Sequence, residues 1–338
     1  MKNSWSTLVV AIALPFLQGC GPVTGPGPYI SIAGFTQGTS YHITYQAPGS
    51  DSVNYQPEID TLLHRFDLSL STYVPHSVIS RVNRNEPHVV DTLFREVFRE
   101  AERMYELTGG AFDITVGPLI DAWGFGPGER LDPDSAMIDS LLQFVGMDKV
   151  TLEENRIKKA HPNVRLDVNA IAQGYAVDVV TRFLDEKGVS DYMVEIGGEI
   201  RTRGRNDRGV PWRIGIDKPA FGNQIPGREL QRIVAFSDRS LASSGNYRKY
   251  YETDGKKIVH TVDPRSGYTR MTRLLSATII TGQCMTADAI ATSCMVLGVN
   301  KGRELVESMD DVEAYFIYSD DSGLYMEWYS DGMETYLE

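Results

Sequence analysis

Arg165-Leu166-Asp167-Val168-Asn169-Ala170-Ile171-Ala172-Gln173-Gly174-Tyr175-Ala176-Val177-Asp178 is the stretch on which the fold turns. Residues 164–168 read as a strand ending near Asp167, and residues 170–187 carry helical spacing. At the junction, the small residues Ala170, Ala172 and Gly174 let another group approach the backbone closely. The first N–H groups of a helix starting here favour an anion such as a pyrophosphate. Asp167 or Asn169 can also serve as the helix cap.

Outward from this junction the spacing changes character repeatedly. Residues 29–46 alternate apolar and polar and break near Gly38, which predicts a β-hairpin. Ile59, Leu62, Leu63 and Phe66 fall at helical spacing within 58–70. A second helix is predicted over 92–108, opened by an imperfect capping box at Thr92 and closed by Gly109-Gly110. A third is expected near 133–144. Residues 192–280 are mainly short β-runs broken by Gly and Pro. Helices follow over 285–297 and 301–308, then strands over 313–319 and 324–329. Helices and strands mix without regular β-α-β alternation. The expected class is therefore α+β, mixed helices with antiparallel sheets, and not a doubly wound sheet.

Composition narrows the function. The chain has 338 residues, 42% hydrophobic and 23% charged, enough for a sizeable core. Its 33 basic and 45 acidic residues give a net charge of −12. An acidic chain without a basic block is a poor match for nucleic acid. Attachment to a membrane must come from elsewhere, and the N-terminus offers a route. Lys2 precedes an apolar run over 8–17, which is shorter than the roughly 20 residues needed to cross a bilayer. It reads as a signal peptide. The run ends in Leu17-Gln18-Gly19-Cys20, which resembles a bacterial lipoprotein cleavage box. Cleavage would leave Cys20 as an acylated first residue, anchored by several chains. The expected layout is a signal peptide over 1–19, a Gly/Pro-rich tether over 20–28 and one domain over 29–338. An exported domain of this kind would face the periplasm. The two other cysteines, Cys284 and Cys294, sit in an apolar helical pattern and read as buried thiols.

Several short constellations carry possible chemistry. Asp288 and Thr292 are four apart on a predicted helix and share one face. A carboxylate with a hydroxyl suits Mg²⁺, which takes few protein ligands and leaves room for phosphate oxygens. An Asp near a helix start can equally be a dipole partner. Residues 109–118 and 123–127 combine glycines with Phe112, Trp123 and Phe125, as a loop closing over a flat ligand would. The second run is no dinucleotide fingerprint, because a helix-like stretch precedes it and its third glycine is misplaced. His260 lies between β-branched residues and the turn 263–267, a setting that fits a structural role as well as a catalytic one.

Taken together and in order, these pieces closely resemble the ApbE family of flavin:protein FMN transferases. The matching pieces are Thr36-Gln37-Gly38-Thr39, Ser71-Thr72-Tyr73, Ile79-Ser80-Arg81-Val82-Asn83 and the run 110–127. The run 167–178, Glu195-Ile196-Gly197-Gly198-Glu199 and the blocks at Ser243, His260 and Asp288 also match. The resemblance implies a T-shaped fold with FAD at its centre beside Mg²⁺. It implies flavin contacts at Gln37, Tyr73, Ala111, Phe112, Asp113, Asp167, Gln173 and Val262. It implies metal ligation by the Ala170 carbonyl, Asp288 and Thr292. Gln37 stands where a Met is usual, and Ala291 where some members carry another Asp. The implied reaction moves FMN from FAD to a Thr or Ser hydroxyl of an acceptor protein and releases AMP. His260 is the candidate base. Family acceptors carry a Ser/Thr-Gly-Ala-Thr type motif and are often membrane redox subunits. This chain lacks the motif, so it is expected to act in trans. A FAD pyrophosphatase and a non-catalytic flavin-binding lipoprotein are the rival readings.

Overall fold

The computed structural model describes residues 27–49, 52–220, 227–247, 250–253 and 255–338. The expected signal peptide, Cys20 and the tether up to residue 26 lie outside them. The chain opens with a hairpin, β1 (Tyr29–Thr36) and β2 (Thr39–Gln46). Its turn is Gln37-Gly38, both at positive φ, 50° and 73°. Four helices follow: α1 (Gln56–Leu70), α2 (Val78–Asn83), α3 (Thr92–Leu107) and α4 (Gly117–Ala122). Next come α5 (Ser135–Leu142), a small hairpin of β3 (Val150–Glu153) and β4 (Arg156–Lys159), and α6 (Ala172–Glu186). The β-rich stretch holds β5 (Tyr192–Ile196), β6 (Glu199–Arg203), β7 (Trp212–Asp217), β8 (Leu230–Phe236) and β9 (Ser240–Gly245). It continues through β10 (Tyr250–Thr253), β11 (Lys256–Val259) and β12 (Leu274–Thr281). The chain closes with α7 (Cys284–Leu297), α8 (Val299–Glu307), β13 (Glu313–Ser319) and β14 (Tyr325–Tyr329).

Eight strands form one sheet in the order β1-β2-β5-β6-β9-β12-β13-β14, and each neighbouring pair is antiparallel. The expected α+β class is the observed one. Strand β12, Leu-Leu-Ser-Ala-Thr-Ile-Ile-Thr, looks too apolar for a sheet with one wet face. Both faces are covered here. Ala277 and Ile279 enter the core under the helices, whereas Ile280 joins Trp212, Val234, Phe236 and Tyr315 under the β7–β8 ribbon. The same alternation splits Leu241 from Ala242 and Ile317 from Phe316, as the period of two requires. A third, smaller cluster gathers Leu119, Trp123, Ile138, Val145 and Val262. Among the described residues no helix is long and apolar enough to cross a membrane.

The structure differs from the sequence reading at three places that shape the site. Residues 164–168 form no strand; Val116 and Arg165 make a lone parallel bridge. The reason is that the Asn83 side chain occupies Leu166 on both sides, donating to its carbonyl at 2.8 Å and accepting from its N–H at 2.7 Å. No ladder partner remains for that residue. Helix α6 begins at Ala172, not at residue 170, and its N-cap is Ile171, with no side-chain cap bond. The Asp167 carboxylate instead holds Asn169, through its N–H at 2.9 Å and its Nδ2 at 3.1 Å. Helix α3 is capped by Asp91, which accepts from Phe94 N–H at 2.9 Å, and not by Thr92. The Thr92 hydroxyl accepts from Arg95.

Helices α6 and α7 touch at Gly174. A Cβ there would stand 2.4 Å from the Cys284 carbonyl oxygen and 2.8 Å from Asp288 Cβ. Backbone in both helices would have to shift to admit it. We expect Gly174→Ala to lower unfolding free energy by ~1–3 kcal/mol. Urea denaturation measures it, and an unchanged midpoint would contradict the close approach.

Candidate active site at the start of helix α6

Three strand and helix ends meet at the first turn of α6. The Gln37-Gly38 turn sits beside the β5–β6 turn, where Gly197 N–H donates to Ser40 O at 3.1 Å. Gly197 has a φ of 68°, and a Cβ there would lie 2.5 Å from Gln173 Nε2 and 3.0 Å from Thr39 Cγ2. Gln173 is therefore pressed against the Gly197-Gly198 turn, which also borders Thr39 at the end of the Gln37-Gly38 turn. The Gln37 Nε2 atom is buried with no hydrogen-bond partner. Such an amide gains from any acceptor that enters the site.

Asp288 faces the same turn from α7. It is 6% exposed, and its Oδ2 accepts from Gly174 N–H at 3.0 Å. Thr292, one turn further along α7, lies with its Oγ1 3.2 Å from Ser244 Oγ of β9. Ala170 lies in the turn just before α6, partly exposed. Asp288, in the second turn of α7, thus stands against the α6 entry that follows Ala170, with Thr292 in the next turn of the same helix. Among the described residues no three His, Cys, Asp or Glu side chains stand close enough to cage a metal. A carbonyl, a hydroxyl and one carboxylate held against a backbone amide form a hard-oxygen set. That set fits Mg²⁺ completed by water or phosphate, not a soft or caged metal.

An aromatic wall stands on the other side of Asp167. Tyr73 is 60% exposed, and its hydroxyl donates to the Phe125 carbonyl at 3.3 Å. Phe125 lies edge-on to His260 with ring centres 6.3 Å apart, and against Tyr251 at 5.5 Å. Partial burial, then the negative charges of Asp167 and Asp121, raise the Tyr73 phenol. A cavity of about 800 Å³ opens here, lined by Tyr73, Asp167, Asn83, Asp121, Arg165 and Phe144 among others. That volume lies within the range of small-molecule sites. Another cavity, about 340 Å³ between β1, β2 and α1, includes none of the residues picked from sequence.

The remaining picks are spent differently. Ala111, Phe112 and Asp113 are buried after α3. Asp113 accepts from the Thr115 N–H at 2.7 Å and its hydroxyl at 2.6 Å. The Asp113 carboxylate is thus engaged within the fold. Val262 packs in the small cluster with Leu119 and Trp123, next to His260 in sequence. Cys284 and Cys294 are free and buried, as expected. Three contributors lie in stretches quoted from sequence but were given no role there. Asn83 holds the backbone before Asp167, Ser244 meets Thr292, and Asp178 accepts from Cys284 and Met285 N–H. Only Asp178 had a local signal, standing four residues after Gly174 and so on the same helix face.

With this geometry in view, the comparisons with known proteins are decisive. The ApbE family profile matches residues 37–316. The chain belongs to the ApbE family. It is 40% identical to the FAD:protein FMN transferase of Vibrio cholerae, across 100% of this chain and 99% of that one. It is 38% identical to the protein of that name in Haemophilus influenzae, across 96% and 95%. Among solved structures it resembles the flavin transferase ApbE from Vibrio cholerae, with TM-score 0.82, 39% identity and coverage of 92% and 99%. The apo flavinyl transferase ApbE of Pseudomonas stutzeri gives TM-score 0.81, 32% identity and coverage of 92% and 97%. The family thus spans both the α6 entry and α7.

Burial dominates two acids of the site. It raises both Asp113 and Asp167 to about 6, against the bonds from Thr115 and Asn169 that lower them. Their folded values lie above the unfolded value near 3.8. The folded chain therefore binds protons more tightly between those two pH values. The stabilising share of each group is fully present below about pH 4 and is lost as pH rises through 6. Unfolding free energy should gain up to ~3 kcal/mol from each group on acidification across this window. Asp167→Asn should remove its share of that slope, as read by denaturant titration at several pH values.

Proposed function

We propose that this protein is an Mg²⁺-dependent transferase that moves FMN from FAD onto a Thr or Ser hydroxyl of a second protein and releases AMP. Membership in a family of flavin transferases makes the chain an enzyme of that kind. The observation that carries the finer reading is the corner at α6 and α7. There Asp288, held by Gly174 N–H, and Thr292, one turn further along α7, present a carboxylate and a hydroxyl oxygen beside the α6 entry. Hard oxygens of this kind suit a divalent cation that carries a diphosphate.

In the proposed reaction the acceptor hydroxyl oxygen attacks the FMN-side phosphorus of FAD. The phosphorus–oxygen bond to AMP breaks, and the acceptor proton passes to a base. Ala170 O, Asp288 and Thr292 would hold the cation. Bound Mg²⁺ supplies charge neutralisation on the diphosphate and alignment of the attacking and leaving oxygens. Gly174 N–H prevents the Asp288 carboxylate from swinging away, so its oxygens need little reorganisation. Tyr73 offers a ring face for the isoalloxazine, with Asp167, Gln173 and Gln37 around it. Ala111, Phe112 and Asp113 would meet it through backbone, and Val262 by apolar contact. His260, set against the Phe125 ring, is the proposed base, since an imidazole titrates near working pH.

The leader over 1–19 and Cys20 support an exported, lipid-anchored protein facing the periplasm. A tethered transferase would meet acceptors bearing a Ser/Thr-Gly-Ala-Thr type motif, such as membrane redox subunits. The test mixes the soluble domain with FAD, Mg²⁺ and a peptide bearing that motif. Mass spectrometry should find an FMN-sized addition together with AMP. Free FMN without peptide modification would favour a pyrophosphatase instead. Asp288→Ala should cost at least ~10²-fold in transfer. His260→Ala should cost ~10²–10⁴-fold with FAD binding retained. Near-normal turnover in either variant would refute the role given to that residue.

A further inference from the structure

Helix α7 carries two of the proposed metal ligands, yet it starts without a cap of its own. Gln283 is extended at the N-cap position and its side chain makes no capping bond. The first N–H groups of α7 go instead to another helix. Asp178, on α6, accepts from Cys284 N–H at 3.0 Å and from Met285 N–H at 2.8 Å, one carboxylate oxygen to each. One turn along α7, Asp288 returns the exchange by accepting from Gly174 N–H, one turn back on α6. Each helix therefore places a carboxylate on first-turn amides of the other. The two rungs, 178 with 284–285 and 174 with 288, run in opposite senses along the two helices. Arg201 of β6 braces the assembly, 3.9 Å from Asp178 Oδ1 and donating to the Gly282 carbonyl in the turn before α7.

We propose that Asp178 is a positioning residue for the cation site: its two-oxygen grip on the start of α7 sets where Asp288 and Thr292 stand relative to Ala170. This rests on the Mg²⁺ reading given above. Core packing holds the body of α7, and the Asp178 rung adds a polar restraint on its first turn, one turn before Asp288. Residues that orient a metal ligand from behind typically alter metal affinity 10–100-fold when lost.

The test compares wild type with Asp178→Ala and Asp178→Asn, each loaded with FAD. Mg²⁺ is titrated while flavin fluorescence is followed, and FAD affinity is measured separately in EDTA. The half-saturating Mg²⁺ concentration should rise about tenfold or more in Asp178→Ala, and less in Asp178→Asn, which keeps one acceptor oxygen. FAD affinity in EDTA should stay within about twofold, because the flavin contacts lie elsewhere. If Asp178→Ala does not fold, the Asn variant decides. An unchanged Mg²⁺ requirement in a folded variant overturns the proposal. So does an equal loss of metal-free FAD affinity, which marks general loosening. A wild type indifferent to Mg²⁺ overturns the functional reading and this proposal together. A responsive wild type with an indifferent Asp178→Asn overturns this proposal alone.

Discussion

Two carboxylates, the buried Asp288 and the partly buried Asp178, exchanged between α6 and α7, are the constraint on which the rest of the site depends. Asp178 and Asp288 each spend their charge on backbone N–H groups of the opposite helix. A charged group taken from water needs such partners, and a helix start supplies them with a favourable dipole. The exchange requires the helices to approach closely, which is why Gly174 has no side chain to spare. Once the two helices are locked, the Asp288 carboxylate is fixed against the α6 entry and the Thr292 hydroxyl lies one turn further along α7.

The sheet explains why turns of fixed shape gather near that corner. With helices on one face and the β7–β8 ribbon on the other, strands β9 and β12 are buried twice over and stiff. In the same sheet, β2 and β5 bear turns of defined shape close to α6. The Gln37-Gly38 and Gly197-Gly198 turns need positive φ at all four residues, which glycine supplies freely and Gln37 does not. A non-glycine residue held at φ 50° with a buried, unpartnered amide marks where the fold has given up local comfort. The aromatic wall of Tyr73, Phe125 and His260 comes from loops far apart in the chain and meets this corner across Asp167.

Asn83 plays a quieter part with a large structural effect. By pairing with both backbone groups of Leu166 it stops the 164–168 segment from joining any sheet. Asp167 and the turn to Ala170 are thereby left as an irregular, hydrogen-bonded lead-in to α6. A ladder there would have hidden the backbone that the site uses.

Much of this was legible in the chain itself. Hairpin 29–46, the longer helices and the α+β class follow from periodicity and from Gly and Pro punctuation, since these are local properties; the short helix α2 was not read. The pairing of Asp288 with Thr292 follows from helical spacing alone. The strand expected over 164–168, the cap expected at Asp167 or Asn169 and the box expected at Thr92 did not follow. Asn83, remote in sequence, took the backbone of Leu166, Asp91 took the cap one residue before Thr92, and Asp167 closed on Asn169 before the helix began. Sequence alone also could not show that Ala111, Phe112 and Asp113 turn their side chains inward. Nor could it show that Asp178 serves α7, more than 100 residues away. Local spacing determines which residues share a helix face. Only the packed structure decides which opposing helix that face meets, because that choice is made by burial summed over the whole core.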